Sequence, residues 1–176
     1  MSDVLVILAH PTLEHARTNP VLAEAARAVA GVSVHDLYES YPDFTIDVPA
    51  EQMRLKTCKA LVLQYPIYWY ATPAMLKEWI DLVWQKGFAY GGGEMALEGK
   101  PFLLALTTGG DQSAYGPDGH HGHPLEAFLM PMVQSARLCG LDWQEPFVVK
   151  AAPRLDEAAR IEAARAYQAR LSALVA

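Results

Sequence analysis

Cysteine is scarce in this sequence. Its 176 residues include only two cysteines, Cys58 and Cys139, which lie far apart along the chain. Both have mainly apolar neighbours, and no second cysteine lies at metal-ligand spacing from either of them. The sequence therefore argues against a disulfide framework or a metal site, and it favours a reducing, cytoplasmic environment.

Basic clusters and long apolar runs are absent as well. The net charge is -6 and the 14 Lys and Arg residues form no cluster, which argues against nucleic-acid binding. No apolar run approaches the ~20 residues that a membrane span requires. The first residues, MSDVLVILAHP, lack the charged start and cleavage site of a signal peptide. We therefore expect one domain over residues 1–176, large enough for a full core.

What the sequence does contain is a regular alternation of apolar strands and amphipathic helices. Buried strands of a parallel sheet read as continuous apolar runs. Five such runs are predicted: Val4–Leu8, Val32–Leu37, Ala60–Leu63, Pro101–Leu106 and Trp143–Val149. With helices between them, these strands predict a doubly wound five-stranded parallel sheet in the order 2-1-3-4-5, covered by helices on both faces in three α/β/α layers.

The stretch from Ala60 to Trp84 is the most unusual part of the chain. After the short strand, an aromatic loop from Gln64 to Tyr70 is predicted, with Thr72 as the N-cap and Pro73 as the first residue of the following helix. Ligands of open α/β sheets bind at the carboxyl ends of the strands. The loop therefore suits a flat ring system, although a hydrophobic plug or a subunit contact would also explain it.

The first strand leads into a loop that contains His10 and ends at Arg17-Thr18-Asn19. A strand–loop–helix opening presents unpaired N–H groups to an anion. Because this loop has no glycine, a phosphate would be held by these three side chains as well as by the backbone. The alternatives are a plain capped helix and a structural role for His10.

The loop after the fourth strand, from Thr107 to Pro124, combines Gly109-Gly110 with tyrosine and histidine. The glycines allow backbone N–H groups to approach a ligand closely. Tyr115 and His121 could stabilise charge or move protons at a bound ring. A metal site built from Asp118, His121 and His123 has little support from spacing, and a solvated surface loop is the other alternative.

Several of these motifs together resemble a known family. LAHP with Asn19, QYPIYWYATPAMLKEWIDLV, FAYGGG and TTGG are similar to flavodoxin-like NAD(P)H:quinone oxidoreductases. LYESYPDFTID, Glu51-Gln52 and the segment 87–91 resemble a short bacterial branch, the ancillary proteins of glutathione-regulated potassium-efflux antiporters. The resemblance covers residues 4–150. It implies a tightly bound flavin, with FMN expected and FAD as the alternative, and a homodimer whose flavin sites lie at the subunit interface.

The resemblance also implies which residues form the site. Matched to the phosphate end of the flavin are His10, Ala16, Arg17, Thr18 and Asn19. Matched to its ring are Pro66, Ile67, Tyr68, Trp69 and Tyr70, and to its pyrimidine edge Thr107, Thr108, Gly109 and Gly110. Tyr115 and His121 match the family's catalytic pair, with His120 as the alternative histidine. Ala16 stands where the family often has a hydroxyl, which would remove one phosphate contact.

The function implied is ping-pong hydride transfer from NAD(P)H through the flavin to a quinone. The branch also implies a potassium-efflux antiporter as a partner, which would bring the protein to the inner membrane. Two alternatives remain: a one-electron carrier of flavodoxin type, and a regulatory module whose flavin only reports redox state. From the residues themselves, Trp69, Phe88 and Tyr90 predict exposed aromatic surface at a two-fold dimer interface.

Overall fold

The computed structural model describes residues 3–175, and its strands form one parallel sheet. The strands are β1 (Val4–Leu8), β2 (Val32–Asp36), β3 (Ala60–Pro66), β4 (Pro101–Thr107), β5 (Asp142–Trp143) and β6 (Phe147–Val149). Their order is β2-β1-β3-β4-β5, and β6 also pairs with β4. The predicted doubly wound flavodoxin-like sheet in the order 2-1-3-4-5 is thus confirmed.

The sequence predicted five strands, but the fifth is divided into two. β5 pairs with Pro101 and Phe102, whereas β6 pairs with the segment from Ala105 to Thr107. Pro146 lies between the two pieces and has no N–H to donate to a ladder. The structure therefore has a sixth strand where one continuous strand, Trp143–Val149, was expected.

Helices cover both faces of the sheet. They are α1 (Asn19–Arg27), α2 (Leu37–Ser40), α3 (Val48–Thr57), α4 (Ala74–Val83), α5 (Leu125–Leu138) and α6 (Glu157–Val175). Leu22 and Tyr167, from α1 and α6, pack on one face, and Trp79 and Leu129, from α4 and α5, pack on the other. The three-layer prediction is confirmed. Within residues 3–175, no helix is both long and apolar enough to cross a membrane.

The central strand is longer than predicted. β3 continues through Gln64 and Tyr65 to Pro66, all three of them buried. Gln64 and Tyr65 pair with Ala105 and Leu106 of β4, so backbone pairing keeps these residues in the sheet. The helix that follows begins one residue later than expected, because Pro73 is extended and occupies the N-cap position.

A buried carboxylate joins α3 to α4. The Glu51 side chain is completely buried and accepts hydrogen bonds from Trp79 Nε1 at 2.8 Å and Tyr41 Oη at 2.7 Å. His35 Nε2 lies 2.9 Å from the same carboxylate. Although burial raises the pKa of Glu51, its hydrogen bonds lower it by more, so the net pKa lies below the ordinary value. These contacts fix the helix that directly follows the aromatic loop.

The prediction of exposed aromatic residues is correct for one residue and wrong for another. Trp69 is 93% exposed, whereas Phe88 is only 6% exposed. Gly87 N–H donates to the Tyr90 carbonyl at 2.8 Å, and this turn brings Phe88 onto the α4/α5 side of the core. Tyr90 is partly buried against the same core. Phe88 therefore packs within its own chain and offers little surface to a partner.

Candidate functional site

The three unusual loops meet at the carboxyl edge of the sheet. They follow β1, β3 and β4, which are neighbours, and the turn after β6 joins them. Together they enclose a cavity of about 410 Å³, within the range of about 300–1,000 Å³ typical of small-molecule sites. The predicted residues that line it are His10, Ala16, Arg17, Thr18, Asn19, Pro66, Ile67, Tyr68, Thr107, Thr108 and Gly109.

The end of the cavity at α1 is suited to an anion. Backbone N–H groups of Arg17, Thr18 and Asn19 have no hydrogen-bond partner within residues 3–175. The first turn of α1 contains no acidic residue. Free N–H groups at the start of a helix, together with the positive end of its dipole, attract phosphate.

The side chains of Thr18 and Asn19 hold this loop in place. Thr18 Oγ1 donates to the Ala152 carbonyl at 2.8 Å, and Asn19 Nδ2 donates to Thr107 Oγ1 at 2.8 Å. Both residues are 3% exposed. The sequence predicted that a phosphate would be held by the side chains of Arg17, Thr18 and Asn19 as well as by the backbone. In the structure the Thr18 hydroxyl donates to Ala152 and the Asn19 amide to Thr107, so one further N–H of Asn19 and the exposed Arg17 guanidinium are the side-chain donors left over.

His10 is a neutral donor at the floor of the cavity. Its Nδ1 accepts the Thr12 N–H at 3.2 Å, so Nε2 carries the proton of the neutral ring. Burial lowers the pKa of His10, and this effect exceeds the opposing influence of Asp36 and Glu14. The ring lies edge-on to Tyr68, with 6.0 Å between centroids.

The loop after β3 ends in a tight two-residue turn. Tyr68 and Ala71 exchange backbone hydrogen bonds of 3.1 and 3.0 Å across Trp69 and Tyr70. The φ angles of Trp69 and Tyr70 are 49° and 63°. Two successive positive φ values are typical of a type I′ turn, which normally carries Asn-Gly because a Cβ atom is crowded by the backbone in this conformation.

Tyr115 and His121 come together although neither lines the cavity described above. Their ring centroids are 4.7 Å apart, and the backbone N–H of His121 donates to the Ala114 carbonyl at 2.9 Å. A Cβ added to Gly110 would lie 2.9 Å from His121 Nε2 and 3.3 Å from Tyr115 Cε2. The pair therefore packs directly against the glycine that follows Gly109 at the cavity rim.

Two other predicted residues, Tyr70 and His120, contact His121, whereas Trp69 projects into solvent. Tyr70 Oη lies 3.3 Å from His121 Nδ1, and the Tyr70 ring packs on Phe128 with centroids 4.9 Å apart. His120 contacts the His121 ring at 5.3 Å. Within residues 3–175, no three His, Cys, Asp or Glu side chains are grouped so that they could hold a metal ion.

Sequence reasoning missed several residues of the site. Ala152 and Pro153 line the cavity from the turn after β6, where the sequence offers no chemically distinctive side chain. Gln64 is buried and its Nε2 donates to the Asn19 carbonyl at 3.2 Å, which ties β3 to the start of α1. Lys150 Nζ lies 6.0 Å from the Tyr115 ring centroid and donates to Gln112. The only sequence feature that could have indicated Lys150 is its position as a charged residue directly after a strand.

Sheet order, cavity position and loop composition define a flavodoxin-like α/β protein. The chain belongs to the family described as having a flavodoxin-like fold, because the model of that family matches residues 2–171. The glutathione-regulated potassium-efflux system ancillary protein KefG of Pectobacterium carotovorum is 43% identical over 164 residues, which cover 93% of this chain and 90% of the relative. The resemblance described above is thus confirmed.

Two solved structures are similar over nearly their whole length. General stress protein 14 of Treponema denticola, solved in complex with FMN, is 38% identical with a TM-score of 0.91, and the match covers 98% of this chain and 99% of that one. An NADPH-quinone reductase from P. pentosaceus is 29% identical with a TM-score of 0.85, and the match covers 97% of each chain.

Proposed function

We propose that the protein is an FMN-dependent NAD(P)H:quinone oxidoreductase. The observation that carries this proposal is the Tyr115–His121 pair, packed against Gly110 at the rim of a cavity whose opposite end presents free N–H groups. A one-electron carrier has no need of such a pair. The FMN complex and the NADPH-quinone reductase among the similar structures support both the cofactor and the reaction class.

The residues present fit a flavin mononucleotide. The N–H groups of Arg17, Thr18 and Asn19 would bind its phosphate, with the Arg17 guanidinium at the exposed side. Ile67 and Gly109 would border the ring. A Cβ on Gly109 would meet no atom within 4 Å, so the glycine leaves free space on its side of the cavity.

The chain would contribute position and electrostatics to the reaction. When bound, FMN would supply the redox chemistry, accepting a hydride from NAD(P)H and passing it to the quinone. The N–H groups of Gly109 and Gly110 have no partner within residues 3–175 and could stabilise negative charge at the pyrimidine edge. The Tyr115 hydroxyl and the His121 Nε2–H would donate to the oxygens of the quinone as charge reaches them.

The cofactor and the turnover are tested on the purified protein. We expect a flavin absorbance spectrum, release of FMN rather than FAD on heating, identified by mass, and steady NAD(P)H consumption with a quinone. Reconstitution with added flavin controls for loss during purification. A protein that binds no flavin under either condition would refute the proposal, and FMN binding without steady turnover would favour the carrier.

The catalytic pair is tested on the two half-reactions separately. Tyr115→Phe and His121→Ala should retain FMN but slow quinone reduction by roughly 10²-fold, the typical cost of losing one donor in a sheltered site. His120→Ala is the matched control, because the exposed His120 ring is the neighbouring imidazole, 5.3 Å from that of His121. If both variants keep parent rates at full flavin occupancy, the pair has no catalytic role. A loss confined to His120→Ala would assign the role to His120.

A regulatory role is a second candidate, favoured by the 43% identity to KefG. KefG is described as an ancillary protein of a potassium-efflux system. We propose that this protein also binds an antiporter of that kind at the inner membrane, and enzyme activity does not exclude such a role. Co-purification with the membrane antiporter from the same organism tests it. Failure of the two proteins to associate would remove the partner but leave the enzyme.

We also propose a homodimer with Trp69 near its interface. An indole ring that is 93% exposed, at the tip of a strained turn, is costly to leave in water. Light scattering at micromolar concentration should give twice the mass of one chain. Trp69→Ser should weaken the dimer, and a parent protein that is purely monomeric would contradict the proposal.

A further inference from the structure

We propose that Tyr70 is a positioning residue that fixes the imidazole of His121 with its Nε2–H directed at Gly110. The inference deepens the proposed function and rests on it for its catalytic consequence. Tyr70 Oη and His121 Nδ1 are 3.3 Å apart, and the two rings meet edge to face with centroids 5.5 Å apart. His121 Nε2 faces the opposite way, toward Gly110.

The strained backbone at Tyr70 supports a functional role for this residue. Trp69 and Tyr70 occupy both central positions of the type I′ turn, where a left-handed backbone is strained for residues other than glycine. Strain of this kind is concentrated at functional sites. Asn-Gly would form the same turn without that strain, but it would place no ring against His121.

The packing around Tyr70 restricts where its hydroxyl can lie. Its ring is tilted by 36° against Phe128 of α5, with centroids 4.9 Å apart. Phe128 also contacts Tyr115 at 6.4 Å. Phe128 therefore packs against both tyrosines that contact His121, and the Tyr70 hydroxyl lies at Nδ1 of His121, whereas Nε2 lies beside Gly110.

The contact with Tyr70 selects one tautomer of the neutral His121 imidazole. A neutral imidazole has one donor and one acceptor nitrogen. When the Tyr70 O–H donates to Nδ1, the proton of the neutral ring stays on Nε2, the nitrogen beside Gly110. This is the form that His121 needs in order to donate a hydrogen bond from the rim of the cavity. Without the hydroxyl, both tautomers and other ring orientations become accessible.

Nitrogen NMR tests the tautomer without any flavin chemistry. In the flavin-free protein at alkaline pH, where imidazoles are neutral, His121 should show the pure Nε2–H pattern of ¹⁵N shifts. Tyr70→Phe keeps the ring and the turn but removes the hydroxyl, and should give an averaged pattern. Tyr68→Phe is the matched control, because this ring in the same turn faces His10 and should leave the His121 signals unchanged. His121→Ala assigns the resonance.

Kinetics on the FMN-loaded protein give the second readout. Tyr70→Phe should slow quinone reduction about three- to tenfold, as expected for one hydrogen bond, with flavin reduction by NAD(P)H unchanged. Combined with His121→Ala, it should cost nothing further, because Tyr70 acts through His121.

Either readout can overturn the proposal. An averaged pattern in the parent protein, a pure pattern that survives Tyr70→Phe, or an additive loss in the double variant would each refute the positioning role. A protein that binds no flavin would refute the proposed function instead, and the NMR result would still decide the tautomer.

Discussion

Gly110 offers a direct test of how the proposed catalytic pair, Tyr115 and His121, is held. A Cβ at this position would lie 2.9 Å from His121 Nε2, 3.0 Å from Ala114 Cβ and 3.3 Å from Tyr115 Cε2. Gly110 is not among the residues with positive φ, so alanine would cause no backbone strain. In the folded state the effect of Gly110→Ala is therefore crowding, which must displace the His121 ring or the loop that carries Tyr115 and His121.

The size of the effect follows from two opposing contributions. Overpacking costs about 1–3 kcal/mol, whereas replacing glycine stabilises by about 0.4–1 kcal/mol through the unfolded chain. The net loss is thus between about zero and 2.5 kcal/mol, and each kcal/mol lowers the Tm of a chain this size by roughly 2–4 °C. Because a shift of ~1 Å can cost ~10²-fold in rate, quinone reduction should fall more than stability does.

The assay pairs Gly110→Ala with Gly109→Ala. Both glycines have ordinary φ, but a Cβ on Gly109 meets no atom within 4 Å. In the flavin-free protein, Gly109→Ala should melt at or slightly above the parent temperature and Gly110→Ala at or below it. Stopped-flow kinetics on FMN-loaded Gly110→Ala should show slow quinone reduction. Parent rates in Gly110→Ala would refute the packing of the pair against this glycine.

Three further outcomes are expected. Replacing Trp69-Tyr70 by Asn-Gly should raise the unfolding free energy by about 1 kcal/mol or more, because the turn loses its strain; an unchanged denaturant midpoint would contradict this. Cys58 and Cys139 should resist a disulfide reagent at pH 8 until urea unfolds the chain, since both are buried and burial raises the pKa of Cys139 to about 11. The pKa of Glu51 is lowered, so its carboxylate stabilises the fold above the unfolded pKa of ~4.3 and loses this effect as pH falls. Glu51→Gln should therefore flatten the acid side of the stability profile, and a parent-like profile would exclude this role.

The sheet could be predicted from the sequence because buried parallel strands leave a simple pattern. Val4–Leu8 and the run from Pro101 to Leu106 are continuous apolar segments, and the structure has strands at both places. The pattern gave the wrong end for β3, because backbone pairing rather than side-chain polarity determines where that strand ends. Gln64 is polar but stays in β3 because it pairs with Ala105.

Most of the cavity lining was also predictable, but largely through the resemblance to a family. Gly109 stands out through its glycine pair alone, but His10 and Ala16 would be ordinary loop residues without the resemblance. Ala152 and Pro153 were missed because only the path of the chain after β6 brings them to the cavity. The burial of Phe88 depends on the turn from Gly87 to Tyr90, whose geometry is not evident from composition.

The division of the last strand has a further consequence, for self-association. A long, flat edge strand presents unpaired N–H and C=O groups that can recruit another chain and begin aggregation. Here the edge beside β4 consists of two pieces of two and three residues, with Pro146 between them. Neither piece offers a ladder long enough to template an added strand. The interruption that shortens the native sheet therefore also protects this edge at high protein concentration.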